Sequence, residues 1–166
     1  TIWGDAGNDI LAVGNAEAPD LSQPGGRAFG GDGNDTLYGL ADGATLQGGR
    51  GDDSYMIAGD ATISDFDPTQ DRLQLDVQYE GGVGVNATDL SVTLTPITAG
   101  GVTNTVVTLT PMEGANTASL RNPDVTVLLR GVSPDQLSSS DISVRVLTKE
   151  GWETAIFARF GAPMMS

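Results

Sequence analysis

Apolar and polar residues alternate in short runs along the second half of the chain. The run from Leu73 to Glu80 alternates throughout, which is typical of a β-strand with one buried face. Similar runs occupy 90–97, 103–110, 125–130 and 142–148, and residues 152–160 form either a last strand or an amphipathic end. The sequence TAGG at 98–101 predicts a hairpin turn, and 133–137 predicts a short helical turn. Residues 72–166 are therefore predicted to form a β-rich, mostly antiparallel cap.

The first half has a nine-residue period instead. Residues 30–38 read GGDGNDTLY and residues 48–56 read GGRGDDSYM, so both fit G-G-x-G-x-D-x-U-x, where U is a large apolar residue. Residues 4–12 read GDAGNDILA and fit with Asp5 in place of the second glycine. Glycine permits tight turns, and x-U-x forms a short strand with U facing the core. Two nine-residue units complete one coil, so loops 18 residues apart stack on one edge.

This register predicts which loops share an edge. Loops 30–35 and 48–53 stack on each other, and the segment 65–71 continues the same edge. Loop 4–9 joins them if residues 14–26, rich in Gly, Pro and Ser, form one enlarged turn on the opposite edge. The predicted fold is all-β: a short parallel β-roll over residues 1–71, with the enlarged loop at 14–26, followed by the C-terminal cap.

Charge follows the same division. The 166 residues carry a net charge of −14 and contain neither Cys nor His. Residues 1–71 hold 12 Asp, 1 Glu and 2 Arg, which leaves a net charge of −11. The composition argues against His- or Cys-dependent catalysis, against a zinc site of the usual N/S kind, and against binding to nucleic acid or anionic membranes. No apolar run is long enough to predict a membrane span. We therefore expect carboxylates and backbone carbonyls to supply the chemistry, and we predict no catalytic residue.

Hard oxygen ligands in flexible loops favour Ca²⁺ over Mg²⁺, which prefers strict octahedral sites with retained waters. Four stacked loops leave three gaps, so about three calcium ions are expected. The predicted metal-binding residues are the loop aspartates together with the glycines and neighbours that offer carbonyls: Gly4, Ala6, Gly7, Asp9, Gly30, Gly31, Asp32, Gly33, Asp35, Gly48, Gly49, Arg50, Gly51, Asp53, Asp65, Asp67 and Asp71. Asp42 and Asp60, also 18 apart, are predicted to be ordinary turn residues in preference to a weaker site on the opposite edge.

The nonapeptide resembles the repeat of the RTX (repeats-in-toxin) calcium-binding β-roll family. Residues 63–75 are similar to the segment that closes such arrays, and 127–142 is similar to the C-terminal regions of these proteins. The resemblance implies export by a bacterial type I secretion machinery and a secreted, extracellular location. It also implies a domain that folds on binding calcium at the C-terminal end of a larger protein, which could carry an enzyme upstream.

Two alternatives stay open at this stage. One is a calcium-dependent adhesion or carbohydrate-binding module that holds a polysaccharide or a cell surface. The other, less favoured, is part of a secreted hydrolase that uses paired carboxylates. The aromatic residues Trp3, Tyr38 and Tyr55 lie at strand positions of the repeat, where packing is the favoured interpretation over stacking on sugars.

Overall fold

The computed structural model describes residues 1–14, 25–78, 90–112, 124–148 and 151–156. Most of the predicted enlarged loop at 14–26, the end of the predicted strand at 79–80 and the chain beyond 156 lie outside these residues. Within these ranges there are thirteen strands: β1 Ile2–Ala6, β2 Ile10–Val13, β3 Arg27–Asp32, β4 Thr36–Gly39, β5 Ala44–Arg50, β6 Ser54–Ile57, β7 Ala61–Ile63, β8 Arg72–Gln78, β9 Leu90–Ala99, β10 Val102–Pro111, β11 Val125–Leu129, β12 Ile142–Thr148 and β13 Gly151–Ile156. A 3₁₀ turn spans Pro134–Gln136.

The strands form two sheets with alternating membership in the first half of the chain. One sheet has the order β1-β3-β5-β7-β11-β10-β9, and the other β2-β4-β6-β8-β12-β13. All pairs from β1 to β8 are parallel. The chain thus winds from one sheet to the other with each short strand, which is a parallel β-roll, and the predicted all-β fold class is confirmed.

The predicted register holds for most of the roll. Thr36 pairs with Ser54 and Ser54 with Arg72, each 18 residues further along the chain. Between the first two coils the offset is larger, since Ile10 pairs with Thr36. The chain between β2 and β3 accounts for the extra residues. On the other sheet Ala44 pairs with Ala61, one residue short of 18, because the turn between β6 and β7 is one residue shorter than the turn between β4 and β5.

The cap predicted over 72–166 is antiparallel from β9 onward, whereas its first strand, β8, pairs in parallel with β6 and so continues the roll. Strands β9, β10 and β11 form an antiparallel set, and β12 and β13 form an antiparallel pair. Strand β11 adds to β7 and β12 adds to β8, both in parallel. The predicted hairpin turn lies between β9 and β10, where Gly100 and Gly101 have φ of +61° and +81°, as a type I′ turn requires. Both sheets therefore continue from roll to cap without a break.

One hydrophobic core lies between the two sheets. It runs from Leu37 and Leu46 in the roll through Ile63 and Leu75 to Val144 in the cap, all fully or almost fully buried. Each belongs to an alternating strand, so its neighbours along the chain face outward. In the part of the chain that the structure describes, no helix is long and apolar enough to span a bilayer.

Candidate metal centre

Four loop segments stack along one edge of the roll, as the register predicted: 4–9, 30–35, 48–53 and 65–71. We call this the aspartate edge and number its gaps one to three from the N-terminal side. Backbone bonds join successive loops: Gly7 N–H donates to Asp32 O and Gly33 N–H donates to Arg50 O, both at 2.8 Å. The edge is thus built by main-chain pairing as well as by side chains.

A ladder of carboxylates connects the loops across all three gaps. The Oδ1 atoms of Asp35, Asp53 and Asp71 each accept a hydrogen bond from the backbone N–H of the corresponding aspartate one coil earlier, at 2.8, 2.8 and 3.0 Å. A second ladder runs the other way, where Asn8 Oδ1 accepts from Asn34 N–H at 2.9 Å. These contacts fix the carboxylates in one orientation.

The second carboxylate oxygens of the same ladder have no such partner. In the described part of the chain, the buried side-chain oxygens without a hydrogen-bond partner are Asp9 Oδ2, Asp35 Oδ2 and Asp53 Oδ2. Asp35 and Asp53 are each only 1% exposed. A buried carboxylate oxygen left unpaired is costly, so three such oxygens, one in each gap, fit a cation as their partner.

Glycines make room for these oxygens. A Cβ atom on Gly4 would lie 2.6 Å from both Asp9 Oδ2 and the Gly30 carbonyl oxygen. A Cβ on Gly30 would overlap Asp35 Oδ2 and the Gly48 carbonyl oxygen in the same way. Each of the first two gaps therefore brings an unpaired carboxylate oxygen together with a carbonyl oxygen of the next loop. This is the donor chemistry of a Ca²⁺ site, and the residues present fit that ion.

No group of three or more carboxylates that could hold a metal ion occurs among the described residues. That is consistent with gaps in which carbonyl oxygens supply much of the coordination, since Ca²⁺ takes six to eight oxygens of mixed kind.

The last segment of the edge uses its carboxylates differently. Asp65 accepts from Gly48 N–H at 3.1 Å, from Gly49 N–H at 2.9 Å and from the Tyr55 hydroxyl at 3.2 Å. Asp71 Oδ2 accepts from Asp67 N–H at 2.9 Å. Asp67 itself accepts from Thr69 N–H and the Thr69 hydroxyl in a local turn. Their roles as metal ligands stay a prediction.

The third gap concentrates negative charge. Burial, with the charges of Asp53 and Asp65, raises the pKa of Asp71 to about 6, and hydrogen bonds from the Asp67 and Asp53 backbone only partly oppose this. Burial also raises the pKa values of Asp53 and Asp65. The pKa of the partly exposed Asp67 shifts the other way, because the hydrogen bond from the Thr69 hydroxyl lowers it. Without a cation, the buried carboxyls of this gap resist ionisation.

Other predicted site residues lie at the surface. The Asp32 and Arg50 side chains are largely exposed, and 3.9 Å separates Arg50 Nη1 from Asp32 Oδ1, so only their backbone carbonyls are positioned in the loops.

On the opposite edge Asp42 Oδ1 accepts from Asp60 N–H, and Asp60 Oδ1 accepts from Thr126 N–H. These bonds connect neighbouring coils and strand β11 instead of closing a local turn, so the turn role favoured for both residues stays a prediction.

Sequence reasoning did not assign Tyr55 to the site. Tyr55 is fully buried, pairs with Leu37 and Leu73 across the sheet, and places its hydroxyl beside Gly48. The repeat period places Tyr55 at a core position. The available signal for a further role was its hydroxyl, since the other repeats have leucine at the same position.

Trp3 packs at the edge by stacking on Phe29, with ring centroids 4.1 Å apart.

Fold and edge together define a class: an all-β protein with a parallel β-roll and a carboxylate-and-carbonyl edge suited to hard cations. Two solved structures are similar to it. They are the AlgE6R2 and AlgE6R3 subunits of the Azotobacter vinelandii mannuronan C5-epimerase, at 22% and 24% identity. The first match covers 85% of this chain and 90% of the other with a TM-score of 0.46, and the second covers 98% and 90% with a TM-score of 0.36. No protein-family model matches the chain, and no curated protein matches it significantly.

Proposed function

We propose that this chain is a calcium-binding β-roll domain of the RTX kind, which holds about three Ca²⁺ ions along the aspartate edge and folds when they bind. The observation that carries the proposal is the set of three buried, unpaired aspartate oxygens at equivalent positions, one in each gap. Two of them face a carbonyl oxygen of the next loop.

Calcium would stabilise the fold by binding the native state alone. Without the ion, stacked carboxylates repel and their unpaired oxygens stay buried. At a free ion concentration of about ten times Kd, each independent site contributes about 1.4 kcal/mol, and three sites contribute about 4 kcal/mol. That amount is comparable to the whole stability of a modest domain. The roll is therefore expected to be loose without calcium and ordered with it.

The cellular setting belongs to the same proposal. Extracellular calcium modules bind in the range of about 10⁻⁴–10⁻³ M, so a domain of this affinity stays unfolded in calcium-poor cytosol and folds outside the cell. This fits export by a type I secretion machinery and a secreted, extracellular bacterial protein. The proposal assigns no catalytic residue to this chain; an enzymatic domain elsewhere in a parent protein stays a prediction.

Calcium titration tests the proposal directly. Circular dichroism should report a gain of β structure as Ca²⁺ is added to chelator-treated protein, and calorimetry should give about three ions per chain. Magnesium at the same concentration serves as the control and should produce little change. Full β structure in excess chelator, or no heat on adding Ca²⁺, would overturn the proposal.

A carbohydrate-binding or adhesion module is the second candidate, and one surface feature favours it. Trp3 is 66% exposed and its ring, stacked on Phe29, borders a groove floored by Gly30, Gly31, Gly48 and Gly49. The groove is also lined by Asp5 and Gln47, so an aromatic wall lies beside polar groups and open backbone, which suits a sugar ring. A glycan array probed in calcium with the wild type and Trp3→Ala separates this candidate from a folding module, since only a sugar-binding protein gives signal that the substitution removes.

A further inference from the structure

The third gap is built unlike the other two. In gaps one and two, the space beside the first loop glycine is shared by an aspartate Oδ2 and a carbonyl oxygen of the next loop. In gap three, a Cβ on Gly48 would overlap Asp53 Oδ2 and the hydroxyl oxygen of Tyr55. A phenol oxygen therefore stands where a loop carbonyl stands in the other two gaps.

The strand register explains how a core residue reaches this position. Tyr55 occupies the U position of its repeat, level with Leu37 and Leu73 in the neighbouring strands. Its ring is buried in the core and contacts Phe66, with ring centroids 5.8 Å apart. A tyrosine is longer than a leucine by part of a ring and a hydroxyl, so its tip extends from the core to the loop.

Hydrogen bonds fix which way the hydroxyl points. Gly48 N–H donates to the Tyr55 oxygen at 2.9 Å, and the Tyr55 hydroxyl donates to Asp65 Oδ1 at 3.2 Å. Asp53 Oδ2 receives no hydrogen bond. Because the proton goes to Asp65, the phenol oxygen offers only acceptor capacity toward Asp53, which is what a neighbouring cation requires.

We propose that Tyr55 completes the third calcium site, its phenol oxygen replacing the loop carbonyl, and that Asp65 is the positioning residue that turns the hydroxyl proton away from the ion. This inference rests on the proposed calcium function. The independent support is Asp53 Oδ2, an unpartnered carboxylate oxygen on a side chain that is 1% exposed and aimed at the same space. The third site then differs chemically from the first two.

Terbium provides a probe that reads Tyr55 directly, since Tb³⁺ occupies calcium sites and emits when a neighbouring tyrosine is excited. The chain has two tryptophans, Trp3 next to Gly4 and Trp152 in β13, and both are replaced by Phe in all samples to remove their emission. The compared proteins are this background, Tyr55→Phe, Asp65→Asn, and Tyr38→Phe as a matched control on the outward-facing side of the neighbouring strand β4. Far-UV circular dichroism in saturating Ca²⁺ verifies that each variant is folded.

Tyr55→Phe should remove more than half of the tyrosine-sensitised emission, whereas Tyr38→Phe should leave most of it. Calcium calorimetry should show one site weakened about fivefold to tenfold by Tyr55→Phe, the effect of losing one neutral oxygen contact. Asp65→Asn should weaken the same site while keeping sensitised emission at saturating Tb³⁺.

The outcomes separate this inference from the function on which it rests. If wild-type protein binds no calcium, the proposed function fails. If wild type binds calcium and folded Tyr55→Phe gives the same emission and the same isotherm, then the Tyr55 hydroxyl only connects Gly48 and Asp65. In that case this inference is wrong and the proposed function stands.

Discussion

Three carboxylate oxygens set the behaviour of this molecule at the residue scale. In the ladder, Asp35 and Asp53 accept hydrogen bonds through Oδ1, and Asp9 donates through its backbone N–H. All three residues leave Oδ2 buried without a partner. Such an arrangement opposes folding in the absence of a cation and supports it in its presence. The same three oxygen atoms therefore destabilise the fold without calcium and stabilise it when calcium is bound.

Replacing Asp35 by Asn should separate these two effects. The amide Oδ1 keeps the bond from Asp9 N–H, and Nδ2 can donate to the Gly48 carbonyl oxygen beside Gly30. We expect the calcium-free variant to gain about 1 kcal/mol of stability and the calcium-loaded variant to lose stability. Denaturant unfolding with Ca²⁺ and with chelator measures both, and Asp52→Asn at an exposed loop position is the control. Equal losses in both conditions would contradict the assignment of Asp35 Oδ2 to an ion.

Acid should stabilise the calcium-free protein. Burial raises the pKa of Asp71 to about 6, against about 3.9 in an unfolded chain. A carboxyl whose pKa is higher in the folded state stabilises folding below its unfolded value, and this contribution disappears as the pH rises through 6. Asp53 and Asp65 shift in the same direction because they are buried. The calcium-free chain should therefore gain β structure and stability as the pH falls from 7 to about 4.5.

Calcium should reverse that dependence, because protonation of a ligating carboxylate releases the ion. Thermal unfolding followed by circular dichroism at several pH values, with and without Ca²⁺, measures both slopes. Asp71→Asn should flatten the calcium-free slope. A calcium-free protein that loses structure over the same interval would show that these carboxyls are not the controlling groups.

At the scale of the element, each loop depends on glycine where the backbone of the previous loop comes close. Gly33 has φ of +140°, and a Cβ atom there would overlap the Gly7 carbonyl oxygen. Gly101 in the β9–β10 turn also has a positive φ, of +81°, but open space around it. The two positions share a backbone preference and differ in the crowding that coil stacking creates.

Gly33→Ala should therefore cost more than Gly101→Ala. We expect a loss of about 2–4 kcal/mol in the free energy of unfolding for Gly33→Ala and about 1 kcal/mol for Gly101→Ala. Denaturant unfolding in saturating Ca²⁺ measures both. Similar losses at the two sites would mean that the loops are stacked less closely than described.

The repeat predicted the elements of the roll well, and it failed where contacts are not periodic. The 18-residue register placed Asp35, Asp53 and Asp71 on one edge, because stacking follows directly from the period. The period does not determine where the end of a long side chain lies, so the hydrogen bond from the Tyr55 hydroxyl to Asp65 was not predicted. It also cannot give the pairing of β11 with β7 or of β12 with β8, which joins segments far apart in the chain and depends on how the whole core is filled.

At the scale of the whole molecule, roll and cap share two sheets and one core. Strand β11 lies against β7, where Leu129 pairs with Ile63, and β12 lies against β8. The cap therefore covers the apolar side chains of the last coil of the roll. The division at residues 71 and 72 follows composition and charge, whereas the apolar packing passes through it.

Leu129→Ala tests whether the cap supports calcium binding by the roll. The side chain is fully buried and belongs to the shared core, so its truncation should cost about 2–5 kcal/mol. Since one core serves both parts, unfolding should stay a single transition and the calcium concentration at half-folding should rise, although no loop has been altered. Val102→Ala, at a site 52% exposed, should leave that concentration unchanged. If Leu129→Ala instead produced a separate early transition of the cap with an unchanged calcium midpoint, residues 1–71 would fold as an independent unit, and the continuous sheets would not couple the two halves energetically.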